Sequence, residues 1–368
     1  MLRAPTSPDD SPKVIGAPAI LPAPQHAVLH HGNALSQTAP SSTLAPDLGS
    51  LAQEGSPRRG RHKVSSATGV RALLETTKPG ITRLVTMTSL AGFVLVALTR
   101  SWKPGDLVVT LGACAVGTAL SAAGANSLNQ WMEAARDARM SRTLGRPLPT
   151  QRATQSQVLA FGVALCIAGL AVLWPLCGLV PMLVSLACMV SYLAVYTPMK
   201  PASPLATFVG ALPGALPPMI GSAAASTAAG FGALREPAGY ALFTLMFVWQ
   251  IPHFLAIAWM YRDDYARGGY AVLPVVDATG AGTAWTMALW TGALLPATIL
   301  PAVVLPDLLG APYAVTAALS GVLFAVLAVR LLLDRGRDRA RQLFFGSIIH
   351  LPVLLTVMMG EALVRGLH

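Results

Sequence analysis

The sequence predicts an all-α integral membrane protein with nine transmembrane helices. The chain has 368 residues, of which 54% are hydrophobic and only 11% are charged. That charged share is less than half of the roughly 25% usual in globular proteins, and the mean hydropathy of +0.57 agrees. The polar surface is too small to cover a water-soluble protein of this size, which excludes an ordinary cytosolic enzyme.

Nine apolar runs are candidates for membrane-spanning helices. A helix needs about 20 mostly apolar residues to cross about 30 Å of hydrocarbon. The runs lie at 81–99, 107–127, 157–174, 179–196, 205–226, 238–259, 283–304, 312–333 and 342–362. Three prolines, Pro213, Pro217 and Pro218, interrupt the fifth run. Such breaks are tolerated where neighbouring helices or a cavity satisfy the freed backbone groups, so we expect this span to form a cavity wall.

Residues 1–68 differ from the rest of the chain. They are rich in Pro, Ser, Ala and Gly and contain no apolar run long enough to be buried. Such a segment cannot offset its ordering entropy. We therefore predict a disordered N-terminal tail over 1–68 and a membrane domain over 69–368.

The net charge of +10 reflects 26 Lys and Arg against 16 Asp and Glu. Nearly all basic residues lie in the tail or in alternate connections between spans, and the opposite side has only Arg100, Lys103, Arg235 and Arg365. This bias indicates a cytoplasmic N-terminus and an external C-terminus, rather than the basic face of a nucleic-acid-binding protein. We expect a bacterial inner membrane location, with the mitochondrial inner membrane as the alternative.

Two clusters of acidic residues follow the second and the sixth predicted spans. In the first, Asn129, Glu133 and Asp137 are four residues apart, which places them on one face of a continuing helix. Carboxylate and amide oxygens are ligands that Mg²⁺ accepts, and the guanidinium groups of Arg142 and Arg146 suit phosphate oxygens. The alternative is a solvated helix end with charge pairs four residues apart.

The second cluster includes His253 and then Arg262, Asp263, Asp264 and Tyr265. It lies on the same predicted side as the first cluster. Ionisable residues near a membrane are costly and tend to mark function. The two clusters therefore predict two halves of one site for a metal and a diphosphate.

From about residue 70 to 362 the chain resembles the UbiA superfamily of intramembrane prenyltransferases, and within it the branch that acts on haem. Six blocks in the family's order carry this resemblance: Thr77–Thr82, the Asn129–Asp137 spacing with the Arg142–Leu148 run, Tyr196–Lys200, Gly210–Gly221, Trp249–Phe254 and Arg262–Tyr265. The chain departs from the family pattern at Gln130 and Glu133, where many relatives have Asp, and at Pro201, Ala206 and Ser222.

The resemblance implies a UbiA-like helical bundle with cytoplasmic active-site loops. It also implies Mg²⁺-dependent transfer of a farnesyl group from farnesyl diphosphate to a vinyl group of haem B, giving haem O for a terminal oxidase. Asn129, Glu133 and Asp137 would then form one catalytic, metal-binding half-site, and Asp263 and Asp264 the other, with Asp263 as a further metal ligand. The residues implied in substrate binding are Arg142, Arg146, Lys200, His253, Arg262 and Tyr265.

Other interpretations remain open at this stage. A polyprenyltransferase acting on an aromatic acceptor, such as 4-hydroxybenzoate or a naphthoate, would use the same chemistry. A membrane transporter is a candidate from another class, although its charged residues would be expected near the membrane midplane. His253 and His350 are both candidates to contact haem. The lipid bilayer is an expected partner, and a haem A synthase or oxidase assembly proteins are possible protein partners.

Overall fold

A computed structural model describes residues 69–367, which form helices joined by short connections. The tail predicted over 1–68 lies outside the described residues. The helices are α1 (Val70–Thr76), α2 (Pro79–Ala97), α3 (Pro104–Asp137), α4 (Gln155–Cys177), α5 (Leu179–Val190), α6 (Thr197–Met199), α7 (Ala206–Ala215), α8 (Pro217–Ala224), α9 (Pro237–Met260), α10 (Arg262–Arg267), α11 (Leu273–Val276), α12 (Ala281–Val304), α13 (Ala311–Leu333) and α14 (Arg337–Gly366).

Within residues 69–367, eight helices are long and apolar enough to cross a membrane. One of them is the continuous helix Leu179–Met199, in which a π-helical stretch, Ser191–Tyr196, joins α5 to α6. The fold class is confirmed, and the predicted count of nine is close. The difference arises at 205–226, where the predicted span is divided into α7 and α8, each too short to cross alone.

The contacts of the flanking helices show what the divided pair does. Lys200, directly after α6, contacts Glu133 near the end of α3. Asp264, directly after α9, contacts Ser141 just beyond the end of α3. The C-terminal ends of α3, α6 and α9 therefore lie at the same end of the bundle. Because α9 begins at the opposite end, α7 and α8 together must cross the bundle between α6 and α9.

Side chains of neighbouring helices satisfy backbone groups of the divided pair. A proline has no N–H to donate within a helix, so Pro217 leaves the carbonyl of Pro213 without its usual donor. The Cys188 thiol donates to that carbonyl at 3.1 Å. The Gln250 amide donates to the carbonyl of Ala211 at 2.8 Å. The expectation that neighbours would support this broken span is met.

The α9 helix occupies the centre of the bundle, packed against α7, α8, α12 and α14. Leu242, Leu245, Ile251 and Leu255 along it are all but inaccessible. The outer face of α13 is the reverse, with exposed Leu319, Val322, Leu323 and Val326. An apolar face of this kind fits contact with lipid rather than water, as expected of an integral membrane protein.

Candidate active site

A cavity of about 350 Å³ lies among α2, α3, α5, α7 and α9. Its α3 wall is a single stripe of side chains at spacings of three and four: Thr118, Ser121, Ala122, Ala125, Asn126, Asn129, Glu133 and Asp137. Residues three or four apart share one face of a helix. The prediction that Asn129, Glu133 and Asp137 stack on one face is therefore what the structure shows, and that face borders the cavity.

Three basic side chains meet the three oxygen-bearing side chains at one end of this cavity. These six residues are hereafter the polar end. Lys78 donates to Asn129 at 2.7 Å, Lys200 to Glu133 at 2.7 Å, and Arg146 to Asp137 at 2.6 Å. Four separate segments of the chain supply them: the α1–α2 junction, α3, the loop after α3 and the end of α6. This convergence is more than the pairing along one solvated helix that the alternative interpretation requires.

One oxygen of the polar end has no partner. Asp137 is about 1% exposed, and its Oδ2 accepts from Arg146, but its Oδ1 is buried without a hydrogen bond within residues 69–367. Buried polar atoms are rarely left without a partner. A buried carboxylate oxygen without a donor, on a residue that lines the cavity, fits a hard cation such as Mg²⁺.

The oxygen-bearing side chains of the polar end are two carboxylates and one amide. No group of three or more acidic, histidine or cysteine side chains converges as a metal cage in the described part of the chain. Mg²⁺ is usually bound through one or two carboxylates, with substrate phosphates and waters completing its shell. Glu133 and Asp137, together with the amide of Asn129, meet that requirement.

Lys78 and Tyr270 belong to this site and were not singled out from the sequence. The Tyr270 hydroxyl hydrogen-bonds Glu133, and burial raises the pKa of that hydroxyl well above its usual range. Burial lowers the pKa of the Lys78 ammonium to about 7, and the nearby Arg146 and Lys200 add to that effect. The matching block Thr77–Thr82 was the available signal for Lys78. Nothing local to Tyr270 indicated its role.

The second acidic cluster is arranged differently from the first. Asp264 accepts hydrogen bonds from the backbone N–H groups of Ser141 and Arg142, from the Ser141 hydroxyl and from Arg267. Burial acts to raise the pKa of Asp264, but these hydrogen bonds outweigh it and hold the pKa below its usual range. Asp264 thus joins α10 to the loop that follows α3, and it is absent from the cavity wall.

Arg262 and Asp263 are the first two residues of α10. Asp263 is exposed and neither residue borders the cavity. Tyr265 does border it, and its hydroxyl accepts a hydrogen bond from Arg142 at 3.2 Å. The guanidinium of Arg142 also lies 5.4 Å from the centre of the Tyr265 ring. The structure therefore brings Tyr265, Arg142, Arg146 and Lys200 to the cavity.

His253 faces away from the cavity. Its Nδ1 lies 2.7 Å from the hydroxyl of Ser347 on α14, and its ring stacks against Trp249 and Phe344. The neighbouring Phe254 lines the cavity instead. His350 is buried in α14 beside Phe324 and does not line the cavity either. Contact of either histidine with haem stays a prediction.

The fold and the site define a polytopic membrane protein with an elongated cavity that is rich in cations and carboxylates at one end. The model of the UbiA prenyltransferase family matches residues 85–349. The chain therefore belongs to the UbiA family of prenyltransferases, and it is a membrane enzyme.

Curated relatives and solved structures agree with this assignment. A protoheme IX farnesyltransferase of Solibacter usitatus is 42% identical over 295 residues, covering 79% of this chain and 98% of that protein. One of Opitutus terrae is 38% identical over 292 residues, covering 79% and 94%. Among solved structures, one from a study of digeranylgeranylglyceryl phosphate synthase superposes on this chain with a TM-score of 0.64 at 14% identity. The match covers 79% of this chain and 98% of that one. A UbiA homologue from Aeropyrum pernix gives 0.58 at 16%, with the same coverage.

Proposed function

We propose that this enzyme transfers the farnesyl group of farnesyl diphosphate to a vinyl group of haem B, forming haem O. The observation that carries the proposal is the polar end, where cations and carboxylates from four chain segments meet at one end of a long cavity. The curated relatives that match nearly their whole length are named for this reaction. The identity of the prenyl donor and of the acceptor rests on those relatives.

The basic residues of the polar end suit a diphosphate. Lys200 and Arg146 border the cavity and have their charged groups at the carboxylates of α3. Arg142 borders it from the loop after α3, held by Tyr265. These cations offset the charge that builds on the diphosphate as it leaves, which is where electrostatic stabilisation lowers a barrier most. Arg262 does not border the cavity, and its role in substrate binding stays a prediction.

Asn129, Glu133 and Asp137 are the residues that would hold Mg²⁺. When bound, the ion neutralises diphosphate oxygens and so makes the diphosphate a better leaving group. Glu133 and Asp137 are both less than 10% exposed. Because their charges are largely removed from water, their attraction for cations is stronger than at an exposed helix end.

The proposed reaction conserves atoms and charge. The bond between C1 of the farnesyl group and the diphosphate oxygen breaks, and the diphosphate leaves with the electron pair. The terminal vinyl carbon of haem B forms a new bond to C1, and the cation left on the inner vinyl carbon takes up water and loses a proton. The products are haem O, diphosphate and one proton.

The cavity is also lined by aromatic residues that can shield an allylic cation from early reaction with water. Tyr192, Tyr196 and Phe254 line it, and the two tyrosine rings stack with centres 5.8 Å apart. Both tyrosines lie in the π-helical stretch, whose wider turn is a frequent feature of functional sites. Excluding water from a closed site prevents side reactions of reactive intermediates.

The site is proposed to face the cytoplasm of a bacterium, in its inner membrane, with the N-terminus on the same side. Haem delivery or haem O removal would then involve a haem A synthase or oxidase assembly proteins. An aromatic acceptor such as 4-hydroxybenzoate is the alternative substrate for the same donor site.

A single incubation tests the reaction. Purified full-length protein is mixed with haem B, farnesyl diphosphate and Mg²⁺, and the porphyrin is analysed by mass spectrometry. We expect the mass of haem O, and none with Mg²⁺ chelated. A parallel incubation contains 4-hydroxybenzoate as the acceptor. If 4-hydroxybenzoate is prenylated while haem B stays unchanged, the aromatic compound and not haem is the acceptor.

Two variants connect the reaction to the polar end. Glu133→Gln keeps the size of the side chain but removes a charge that Mg²⁺ requires, so it should reduce turnover by at least about a hundredfold. The matched control is Glu236→Gln, because Glu236 is also paired with an arginine, Arg100, but outside the cavity. Equal turnover by the two variants would remove the metal-binding role from Glu133.

A further inference from the structure

Lys78 has an unusual backbone conformation at the start of α2. Its φ is +49° and ψ is +67°, in the left-handed region. Among residues 69–367 the only other non-glycine residue with positive φ is Gln151. A following proline disfavours the ordinary helical conformation for the residue before it, and Pro79 follows here. Strained conformations of this kind cost about 1–3 kcal/mol and cluster at functional sites.

This conformation accompanies a contact between two helices at the cavity. The ammonium of Lys78 lies 2.7 Å from Oδ1 of Asn129 on α3, and both residues border the cavity. A strained residue in a surface turn is explained by the turn alone. At Lys78 the strained backbone instead goes with a basic side chain that contacts the oxygen-bearing face of α3.

Lys78 differs from the other two cations of the polar end in its partner. Lys200 contacts the carboxylate of Glu133, and Arg146 contacts that of Asp137. Lys78 contacts only a neutral amide. Lys78 is only partly exposed, and partial burial of a cation without a contacting counter-charge is costly. The polar end as a whole has three basic side chains for two carboxylates. An incoming anion would supply the missing negative charge. Lys78 would be stabilised most by it, because Lys78 alone among the three has no carboxylate partner.

We propose that Lys78 binds the diphosphate of the prenyl substrate directly. The ammonium of Lys78 donates to Asn129 in the structure, and the diphosphate would take over that contact, which leaves Oδ1 of Asn129 free for another partner. This inference rests on the proposed function, because it assumes a diphosphate at the polar end. It assigns Lys78 a contact with the substrate rather than only a role in helix packing.

Calorimetric titration of inorganic diphosphate into the full-length protein in detergent, with metal chelated, tests the proposal. Loss of a charge-assisted hydrogen bond should weaken affinity about ten- to a hundredfold in Lys78→Gln. Lys78→Arg keeps the charge and should stay within a few-fold of wild type. Lys103→Gln is the matched control, because Lys103 is exposed at the opposite end of α3, and its affinity should equal that of wild type.

Asn129→Asp supplies an independent arm that does not remove the lysine. It gives Lys78 a carboxylate partner in place of the amide, so diphosphate must compete with a fixed negative charge, and its affinity should fall about tenfold or more. This arm decides the question if Lys78→Gln fails to fold. Unchanged affinity in folded Lys78→Gln, or in Asn129→Asp, overturns the role of Lys78 while leaving the proposed function intact. Absence of diphosphate binding by wild type and by Lys103→Gln also overturns the role of Lys78, whereas the proposed function is decided separately by the formation of haem O in the presence of Mg²⁺.

Discussion

Replacing Asp264, which does not itself line the cavity, by asparagine should detach the loop that follows α3. The two carboxylate oxygens accept from the N–H groups of Ser141 and Arg142 at 3.1 and 3.2 Å and from the Ser141 hydroxyl at 2.7 Å. Asparagine keeps one acceptor oxygen and places an NH₂ against one of those backbone donors. An unsatisfied buried N–H costs about 1–3 kcal/mol, and losing the charge from the remaining bonds adds about 1 kcal/mol.

The loop contact should therefore weaken by about 2–4 kcal/mol, or roughly 30- to 1000-fold in the ratio of attached to detached loop. Hydrogen exchange in detergent measures this directly, as loss of protection at the amides of Ser141 and Arg142, with amides of α13 as the internal reference. The KM for the prenyl diphosphate should rise, because Arg142 lies in the detached loop. Unchanged protection of those two amides in Asp264→Asn would refute this account of the contact.

The carboxylate beside it gives the comparison. Asp263 is exposed and does not border the cavity, so Asp263→Asn should leave both loop protection and turnover close to wild type. A turnover loss as large as that of Glu133→Gln, with the loop still protected, would instead restore the metal-binding role that the sequence implies for Asp263.

Three further predictions follow from the same structure. Because the pKa of Asp264 is lower folded than its unfolded value of 3.8, its contribution to the loop contact should persist above pH 4 and disappear as the pH falls through the folded pKa, measured by hydrogen exchange. Gly221→Ala should destabilise the protein by several kcal/mol in thermal unfolding, since the added carbon would lie 1.7 Å from a backbone oxygen of α2, whereas Gly112→Ala, with open space around it, should be neutral or slightly stabilising. A reporter fused after Arg146 should be cytoplasmic and one fused at the C-terminus external; both on one side would contradict the topology.

Spacing within one helix predicted half of the polar end. Asn129, Glu133 and Asp137 share a face because 3.6 residues make a turn, and no tertiary information is needed for that. Their basic partners are a different matter. Lys200 is 67 residues from Glu133, and its position depends on how α5 and α6 pack against α3. The family resemblance, rather than any periodicity, singled out Lys200.

Charge type alone could not separate the two acidic clusters. Asp264 and Asp137 both follow an apolar span and both have arginines nearby. The sequence pattern therefore predicts the same role for both carboxylates. The structure distinguishes them by their donors. Two backbone N–H groups and a hydroxyl satisfy Asp264, whereas Oδ1 of Asp137 is buried without a donor among residues 69–367. Backbone donors are invisible in a sequence because every non-proline residue has one. The left-handed conformation of Lys78 is hidden for a similar reason, since lysine rarely adopts it.

The length of α3 matches what the proposed reaction requires, a site for both an apolar chain and a charged diphosphate. At about 1.5 Å per residue its 34 residues extend about 50 Å, well beyond about 30 Å of hydrocarbon. Its cavity-lining stripe from Thr118 to Asp137 covers about 28 Å of that length. The twelve-carbon main chain of a farnesyl group extends about 15 Å, given carbon–carbon bonds of about 1.5 Å. In the proposed reaction, the remaining 13 Å or so would accommodate the diphosphate and the reacting carbons of the acceptor. The farnesyl chain would then lie along the part of the stripe nearer Thr118, and the diphosphate beside Glu133 and Asp137.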